Sequence, residues 1–214
     1  TTMKRSAGIL LPISSLPSRY GIGCFSQEAF DFVDWLRDAG QSYWQILPLF
    51  PTSFGDSPYQ SFSTFAGNPY FISLEALIDE GVLTREECDA ADFGTDAGRV
   101  DYEKLYGARY PLLRLAYQRS DISSDPEYQR FLAENGWWLS DYALFMAVKE
   151  RFNGAPWTQW AEDIRLRWGF ALDYYRRELY FDIEFQQYLQ FKFFQQWQGL
   201  KDYANAQGVQ IIGD

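Results

Sequence analysis

The order of three short apolar segments constrains the fold of this chain more than any other feature. Residues 8–13 and 43–47 stand close together, and residues 209–213 follow only at the end of the sequence. Each segment is rich in aliphatic or aromatic residues and bounded by turn formers, as is typical of buried strands. A strand, a helix and a second strand in quick succession favour parallel pairing with a right-handed crossover. We therefore expect an α/β fold with three parallel strands.

The segment between the first two strands predicts a helix over residues 27–39. Ser26 is a favourable N-cap, and Gly40 a favourable C-terminal stop. One apolar face recurs at helical spacing. Its members are Ala29, Phe32, Val33 and Leu36.

Residues 73–207 predict helices and no strand. The expected helices cover 72–80, a short stretch after Thr84, 101–119, a stretch from 126, 137–152, 157–166 and 172–207, the last broken once. Thr84, Asp101 and Asp125 are the expected N-caps. Because this block is too long for a simple crossover, we interpret it as an inserted all-helical subdomain. The predicted domains are 1–72, 73–207 and 208–214.

Three parallel strands cannot close a barrel, and they leave sheet edges that need covering. The third predicted strand ends where the sequence ends, at Asp214. We therefore expect this chain to be the N-terminal part of a longer protein.

Composition excludes several classes of function. The chain has 214 residues and a net charge of −10, which disfavours binding to nucleic acids or anionic membranes. It contains no histidine, so histidine-dependent catalysis and histidine metal sites are excluded within it. Cys24 and Cys88 have no metal-type spacing and indicate reduced thiols in a cytoplasmic protein.

Residues 54–70 have neither a helical nor a strand period. They combine turn formers, short polar side chains and aromatics directly after the second predicted strand. Loops at the carboxyl ends of strands are where α/β proteins hold ligands. We interpret this stretch as a candidate ligand site.

Four motifs in register carry a resemblance to a known family. They are AGILLPISSLPS with YGIG at residues 7–18 and 20–23, WQILPL at 44–49, GDSPYQS with AGNPY at 55–61 and 66–70, and GVQIIGD at 208–214. Together they resemble the N-terminal portion of the 4-α-glucanotransferases, also called amylomaltases or disproportionating enzymes.

The resemblance implies a (β/α)8 barrel with helical insertions, of which this chain holds the first three strands. It implies retaining transfer of an α-1,4-glucan segment from a maltooligosaccharide or starch-like donor to glucose or another glucan. Retention requires a nucleophilic carboxylate and a carboxyl acid/base. In the family these follow later strands, so no catalytic residue is expected here and the chain alone should be inactive. No cofactor and no metal are implied.

The resemblance also assigns roles to four residues. It implies that Ser57 and Tyr59 contact the donor sugar, and that Asp214 supports the base of the catalytic pocket. Phe54 stands where some members have a tyrosine in a secondary glucan site. Read without the resemblance, Tyr59 is a loop aromatic packed on the core, Ser57 a turn residue and Asp214 a solvated carboxylate.

Two other functions fit the same residues. The chain could be a non-catalytic glucan-binding module in which the aromatics of residues 54–70 hold a sugar unaided. It could instead belong to a hydrolase of the amylase superfamily, with water as the acceptor. A titration with maltoheptaose separates the first alternative from a transferase. The Ser-Pro-Tyr motif at 57–59 and the Ile-Ile-Gly-Asp motif at 211–214 favour a transferase over a hydrolase.

Overall fold

The structure is a computed structural model that describes residues 4–52 and 63–213. Within these ranges it is mostly helical, with one small parallel sheet. The chain divides into two compact units. The first comprises Thr1–Ser120 and Lys192–Asp214, and the second comprises Asp121–Phe191. The predicted domain division at residues 72 and 207 stays a prediction.

The sheet contains three parallel strands in the order β1-β2-β3. They are β1 Gly8–Leu10, β2 Tyr43–Gln45 and β3 Gln210–Ile212. Trp44 pairs with Ile9 on one side and Ile211 on the other. Its side chain is fully buried, and its indole N–H donates to the carbonyl of Leu11 at 2.8 Å. The prediction of three parallel strands is confirmed, although each strand is only three residues long.

The prediction that all three strands are buried is wrong for β1 and β3. Leu10 is 56% exposed and Ile212 is 42% exposed. The physical reason is their place in the sheet, because each edge strand in the described chain has a neighbour on one side only. In the central strand Trp44 is fully buried as predicted, whereas Gln45 is exposed.

Four helices of the first unit precede the second unit in the sequence. They are α1 Gln27–Asp38, α2 Leu74–Asp79, α3 Arg85–Ala90 and α4 Tyr102–Arg119. The Thr84 and Asp101 side chains accept hydrogen bonds from the amides of Glu87 and Lys104, which confirms both predicted caps. Ser26 stands at the predicted N-cap of α1, but its hydroxyl donates to Glu28 Oε2 at 2.6 Å instead of accepting from the backbone.

The second unit contains helices joined by turns, and no strand. It contains α5 Pro126–Arg151, the one-turn α6 Glu162–Arg165 and α7 Gly169–Glu178, together with the start of α8 Tyr180–Ala206. Asp125 caps α5 by accepting from the amide of Glu127 at 2.8 Å, as predicted. The single break at Leu179 between α7 and α8 confirms the predicted interruption of the last helical run.

Residues 137–151 are helical as predicted, but they continue α5 through Gly136 and do not form a helix of their own. The Asn135 side chain bridges this point by donating to the carbonyl of Phe131 and accepting from the indole of Trp138. The predicted helix over 157–166 is instead a short 3-10 turn, Trp157–Gln159, followed by α6. Trp160 is extended there, because its indole donates to Ala155 and its ring packs in the core.

Cys24 and Cys88 are free thiols and are buried. None of the helices in the described ranges is long and apolar enough to cross a membrane.

Candidate functional site

The four residues assigned to a glucan site lie outside the described residues. Phe54, Ser57 and Tyr59 belong to the segment 53–62, and Asp214 is the last residue of the chain. Their roles therefore stay predictions. The chain on either side of that segment is described, and it shows how the ends of β1 and β2 are built.

Asn68 connects residues 63–70, here called the returning segment, to the residues that leave β2. Its backbone amide donates to the carbonyl of Leu49 at 2.8 Å, and its side-chain Oδ1 accepts from the backbone amide of Tyr70 at 3.0 Å. Asn68 is only 5% exposed, so both hydrogen bonds are shielded from water. An asparagine before a proline is a favourable start for such a turn, because the Asn side chain can satisfy an unpaired backbone amide.

A small cavity lies at the carboxyl ends of β1 and β2. Its walls come from residues that follow the two strands, together with Asn68, Phe71 and Tyr102. Its volume is about 40 Å³, which is well below the range of about 300–1,000 Å³ that is usual for small-molecule sites. The described residues therefore form a closely packed floor at the strand ends, where the predicted ligand loop begins.

Gly67 lets the returning chain approach α8 closely. A Cβ atom at this position would overlap the ring of Phe193, which is itself 2% exposed. The same ring packs edge-on against Phe25 at 5.3 Å. The glycine in the AGNPY motif is therefore required by packing, because any side chain there would displace a buried aromatic ring.

Arg109 on α4 contacts the loop of the YGIG motif and the chain just after the AGNPY motif. Its guanidinium donates to the carbonyl of Tyr20, at 3.1 Å, and to the carbonyl of Ile72. The side chain is completely buried, and this burial lowers the pKa of Arg109 from its usual value. Arg109 was not singled out in the sequence, since an arginine in a helix is normally solvated.

Tyr20 in the YGIG motif is held by its side chain as well as its carbonyl. Its hydroxyl donates to Asp89 at 2.8 Å and accepts from Arg85 at 3.0 Å. Burial and the hydrogen bond to Asp89 raise the pKa of Tyr20. The first loop is therefore fixed to α3 as well as to α4.

A row of tyrosines borders the returning segment. Tyr70 contacts the rings of Tyr102 and Tyr110, with ring centroids 6.3 Å and 5.8 Å apart, and Tyr110 contacts Tyr106. Tyr106 is 60% exposed. This row was not predicted, although the spacing of four between Tyr102, Tyr106 and Tyr110 indicates one face of a helix. Exposed phenols can stack on sugar rings and hydrogen-bond to hydroxyls.

The described residues contain no group of three or more histidine, cysteine or acidic side chains that could hold a metal ion. The polar side chains around the strand-end cavity are Ser14, Thr52, Asn68 and Tyr102, which are uncharged and suit recognition of a hydroxylated ligand.

Comparison with known proteins gives a consistent result. The family model for 4-alpha-glucanotransferase matches residues 11–214. The 4-alpha-glucanotransferase of Streptococcus pneumoniae is 48% identical over 213 residues, and that of Clostridium butyricum is 46% identical over 202 residues. These alignments cover 99% and 94% of this chain, and 42% of each relative.

A solved structure agrees with the sequence comparison. The amylomaltase from Streptococcus agalactiae, in complex with acarbose, superposes with a TM-score of 0.92 at 42% identity. The match covers 99% of this chain and 43% of that one. The chain thus spans less than half the length of the relatives it matches. The resemblance seen in the sequence motifs is confirmed, and the chain belongs to the 4-alpha-glucanotransferase family.

Proposed function

We propose that the whole protein is a 4-α-glucanotransferase. It would move a segment of α-1,4-glucan from a maltooligosaccharide or starch-like donor to glucose or to another glucan. The observation that carries this proposal is the family match over residues 11–214, which covers all the motifs except residues 7–10 of the first. The buried anchors of those motifs, Asn68 and Arg109, support it, because they hold loops of the family pattern in place.

The complete fold in this proposal is a (β/α)8 barrel. The parallel order β1-β2-β3 is the arrangement of three consecutive barrel strands. The exposed side chains of Leu10 and Ile212 give the edge strands apolar surface that further strands would cover. The remainder of the barrel is thus an expected partner of these residues.

The proposed chemistry is transfer with retention of anomeric configuration. A carboxylate nucleophile forms a glycosyl intermediate, and a carboxylic acid protonates the leaving oxygen and later deprotonates the acceptor hydroxyl. The resemblance implies that both groups follow later strands. We therefore expect the 214-residue chain alone to show no turnover.

Within this chain we propose a share of the donor site. Tyr59 would offer its ring face and hydroxyl to a sugar, and Ser57 would hydrogen-bond to a sugar hydroxyl. Asp214 would support the base of the pocket, and Phe54 would give an aromatic face to a secondary glucan site. The described Tyr70 would extend this aromatic wall through its contacts on α4.

The proposal is tested by incubating the whole protein with maltotriose. Transfer should yield glucose together with a ladder of longer maltooligosaccharides, seen by anion-exchange chromatography. The isolated 214-residue chain should leave maltotriose unchanged. A ladder from the isolated chain, or no ladder from the whole protein, would overturn the corresponding statement.

The location in the cytoplasm remains a proposal, which the two free thiols support.

A further inference from the structure

The second unit contains a groove much larger than the cavity at the strand ends. It lies between α5 and the segment where α7 meets α8, and its volume is about 410 Å³. That volume falls in the range of about 300–1,000 Å³ that is usual for small-molecule sites. The α5 residues along its wall run from Tyr128 to Leu144, a distance of about 24 Å at the helical rise per residue. The groove is therefore elongated.

The lining of this groove is mixed in character. Leu132, Leu144 and Ile183 give it apolar surface, and Tyr128 and Tyr180 add aromatic rings. Gln129, Ser140 and Gln187 contribute uncharged polar groups. Arg176 and Glu184 bring one charge of each sign, so the formal charges cancel.

Hydrogen bonds between lining residues fix part of this wall. The hydroxyl of Tyr128, which is 1% exposed, donates to Gln187 Oε1 at 3.0 Å. Burial raises the pKa of Tyr128, so the phenol stays protonated and able to donate. The carbonyl of the Gln187 amide is thereby oriented, and its NH₂ group keeps two donors for a ligand. Gln129 Nε2 similarly donates to the carbonyl of Ser123 at 2.9 Å.

These features select among ligand classes. A phosphorylated or carboxylated ligand would require an excess of positive charge, which the lining lacks. A wholly apolar ligand would leave the amide and hydroxyl groups without partners. A neutral chain of sugars can stack a ring face on the exposed Tyr180 and present its hydroxyls to the amides, and its length suits an elongated groove.

We propose that this groove is a binding site for a maltooligosaccharide segment, with Tyr180 and Gln187 as its main contacts. Tyr180 is 55% exposed, so its ring is available for stacking against a sugar. The choice of an α-1,4-glucan among neutral saccharides rests on the proposed function of the whole protein.

The test measures binding stoichiometry on the whole protein with a maltotetraose whose glycosidic linkages carry sulfur, so that transfer cannot consume it. Isothermal titration should show that Tyr180→Ala and Gln187→Ala each lower the number of sites by one. Tyr180 is 55% exposed, so Tyr180→Ala should keep the fold. Gln187→Ala also removes the acceptor of the buried Tyr128 hydroxyl, so circular dichroism checks the folding of both variants, and Tyr180→Ala decides the test if Gln187→Ala is unfolded. Tyr174→Ala is the matched control, because Tyr174 is 48% exposed and lies outside the groove lining.

The outcomes distinguish failure of the groove proposal from failure of the transferase proposal. An unchanged site number in both variants overturns the groove, whatever the activity of the protein. Equal losses in Tyr180→Ala and Tyr174→Ala also overturn it. The loss of one site in a protein that makes no maltotriose ladder would uphold the groove as a glucan site while refuting the transferase proposal.

Discussion

Arg109 donates a hydrogen bond to the backbone carbonyl of Tyr20 at 3.1 Å, although its side chain is completely buried. A second bond reaches the carbonyl of Ile72. Two loops that carry family motifs are thus fixed to one side chain on α4. Removing it would leave two buried carbonyls without donors, which is more costly than the loss of an exposed ion pair.

We expect Arg109→Met to lower the free energy of unfolding by about 2–4 kcal/mol, as measured by urea denaturation of the whole protein. Relief of the buried charge offsets part of the loss, and this relief is included in the range. Arg119→Met is the control. Its guanidinium is exposed and pairs with Glu87 at 2.9 Å, so its loss should cost less than about 1 kcal/mol. Equal effects in the two variants would refute the anchoring role of Arg109.

Gly67→Ala should destabilise the protein by about 1–3 kcal/mol, because the added methyl group would overlap the buried ring of Phe193. Phe193→Leu replaces the ring with a smaller side chain and should relieve the overlap. The effects of Gly67→Ala and Phe193→Leu on stability should therefore be non-additive in the double variant. Thermal denaturation of the single and double variants measures this coupling.

Gly199→Ala provides the control of opposite sign. Gly199 is a solvent-exposed residue within α8, and nothing lies within 4 Å of an added Cβ. Alanine there should stabilise by about 0.5–1 kcal/mol, since it favours the helix. Destabilisation by Gly199→Ala, or stabilisation by Gly67→Ala, would show that the packing around α8 differs from this description.

Stability should fall as the pH rises above 10, in part because of Tyr142. Burial raises the pKa of the Tyr142 phenol above its ordinary value of 10.0. In the unfolded chain the phenol ionises near pH 10, whereas in the folded chain it stays protonated. The contribution of this pKa difference to the free energy of unfolding is therefore complete below pH 10 and is lost as the pH rises above 10. Tyr142→Phe should remove about 1.4 kcal/mol of this loss at pH 11.

Urea denaturation at pH 8 and pH 11 measures this effect. Identical slopes for the wild-type protein and Tyr142→Phe would contradict the assigned cause.

Local chemistry explains which parts of the fold the sequence predicts well. The caps at Thr84, Asp101 and Asp125 depend on contacts within three residues, and all three are present. The burial of Trp44 is predicted correctly because residues 43–47 are mostly apolar. These features need no knowledge of distant packing.

The errors arise where distant packing decides the structure. Gly136 does not end α5, because a glycine inside a helix costs only about 1 kcal/mol and buried side chains on either side, such as Tyr128 and Trp138, outweigh it. The turn before α6 forms because Trp160 packs between Phe145 and Phe152, a contact that periodicity cannot show. Arg109 was missed for the same reason, since its partners lie far away in the sequence.

The predicted sugar contacts allow a direct functional prediction. Tyr59→Ala should lower kcat/KM for maltotriose about 10- to 100-fold, because both the stacking face and the hydroxyl are lost. Tyr59→Phe should lose less, since the ring remains. Steady-state kinetics of the whole protein measure both effects, and a Tyr59→Ala enzyme with wild-type kcat/KM would remove Tyr59 from the donor site.

The transferase proposal is tested most directly by following the acceptor. The whole protein is incubated with maltotriose and ¹³C-labelled glucose, and the products are analysed by mass spectrometry and NMR. We predict that the label enters maltooligosaccharides at the reducing end through new α-1,4 linkages, while the total number of reducing ends stays constant. Label that remains in free glucose while reducing ends increase would identify a hydrolase and contradict the proposal.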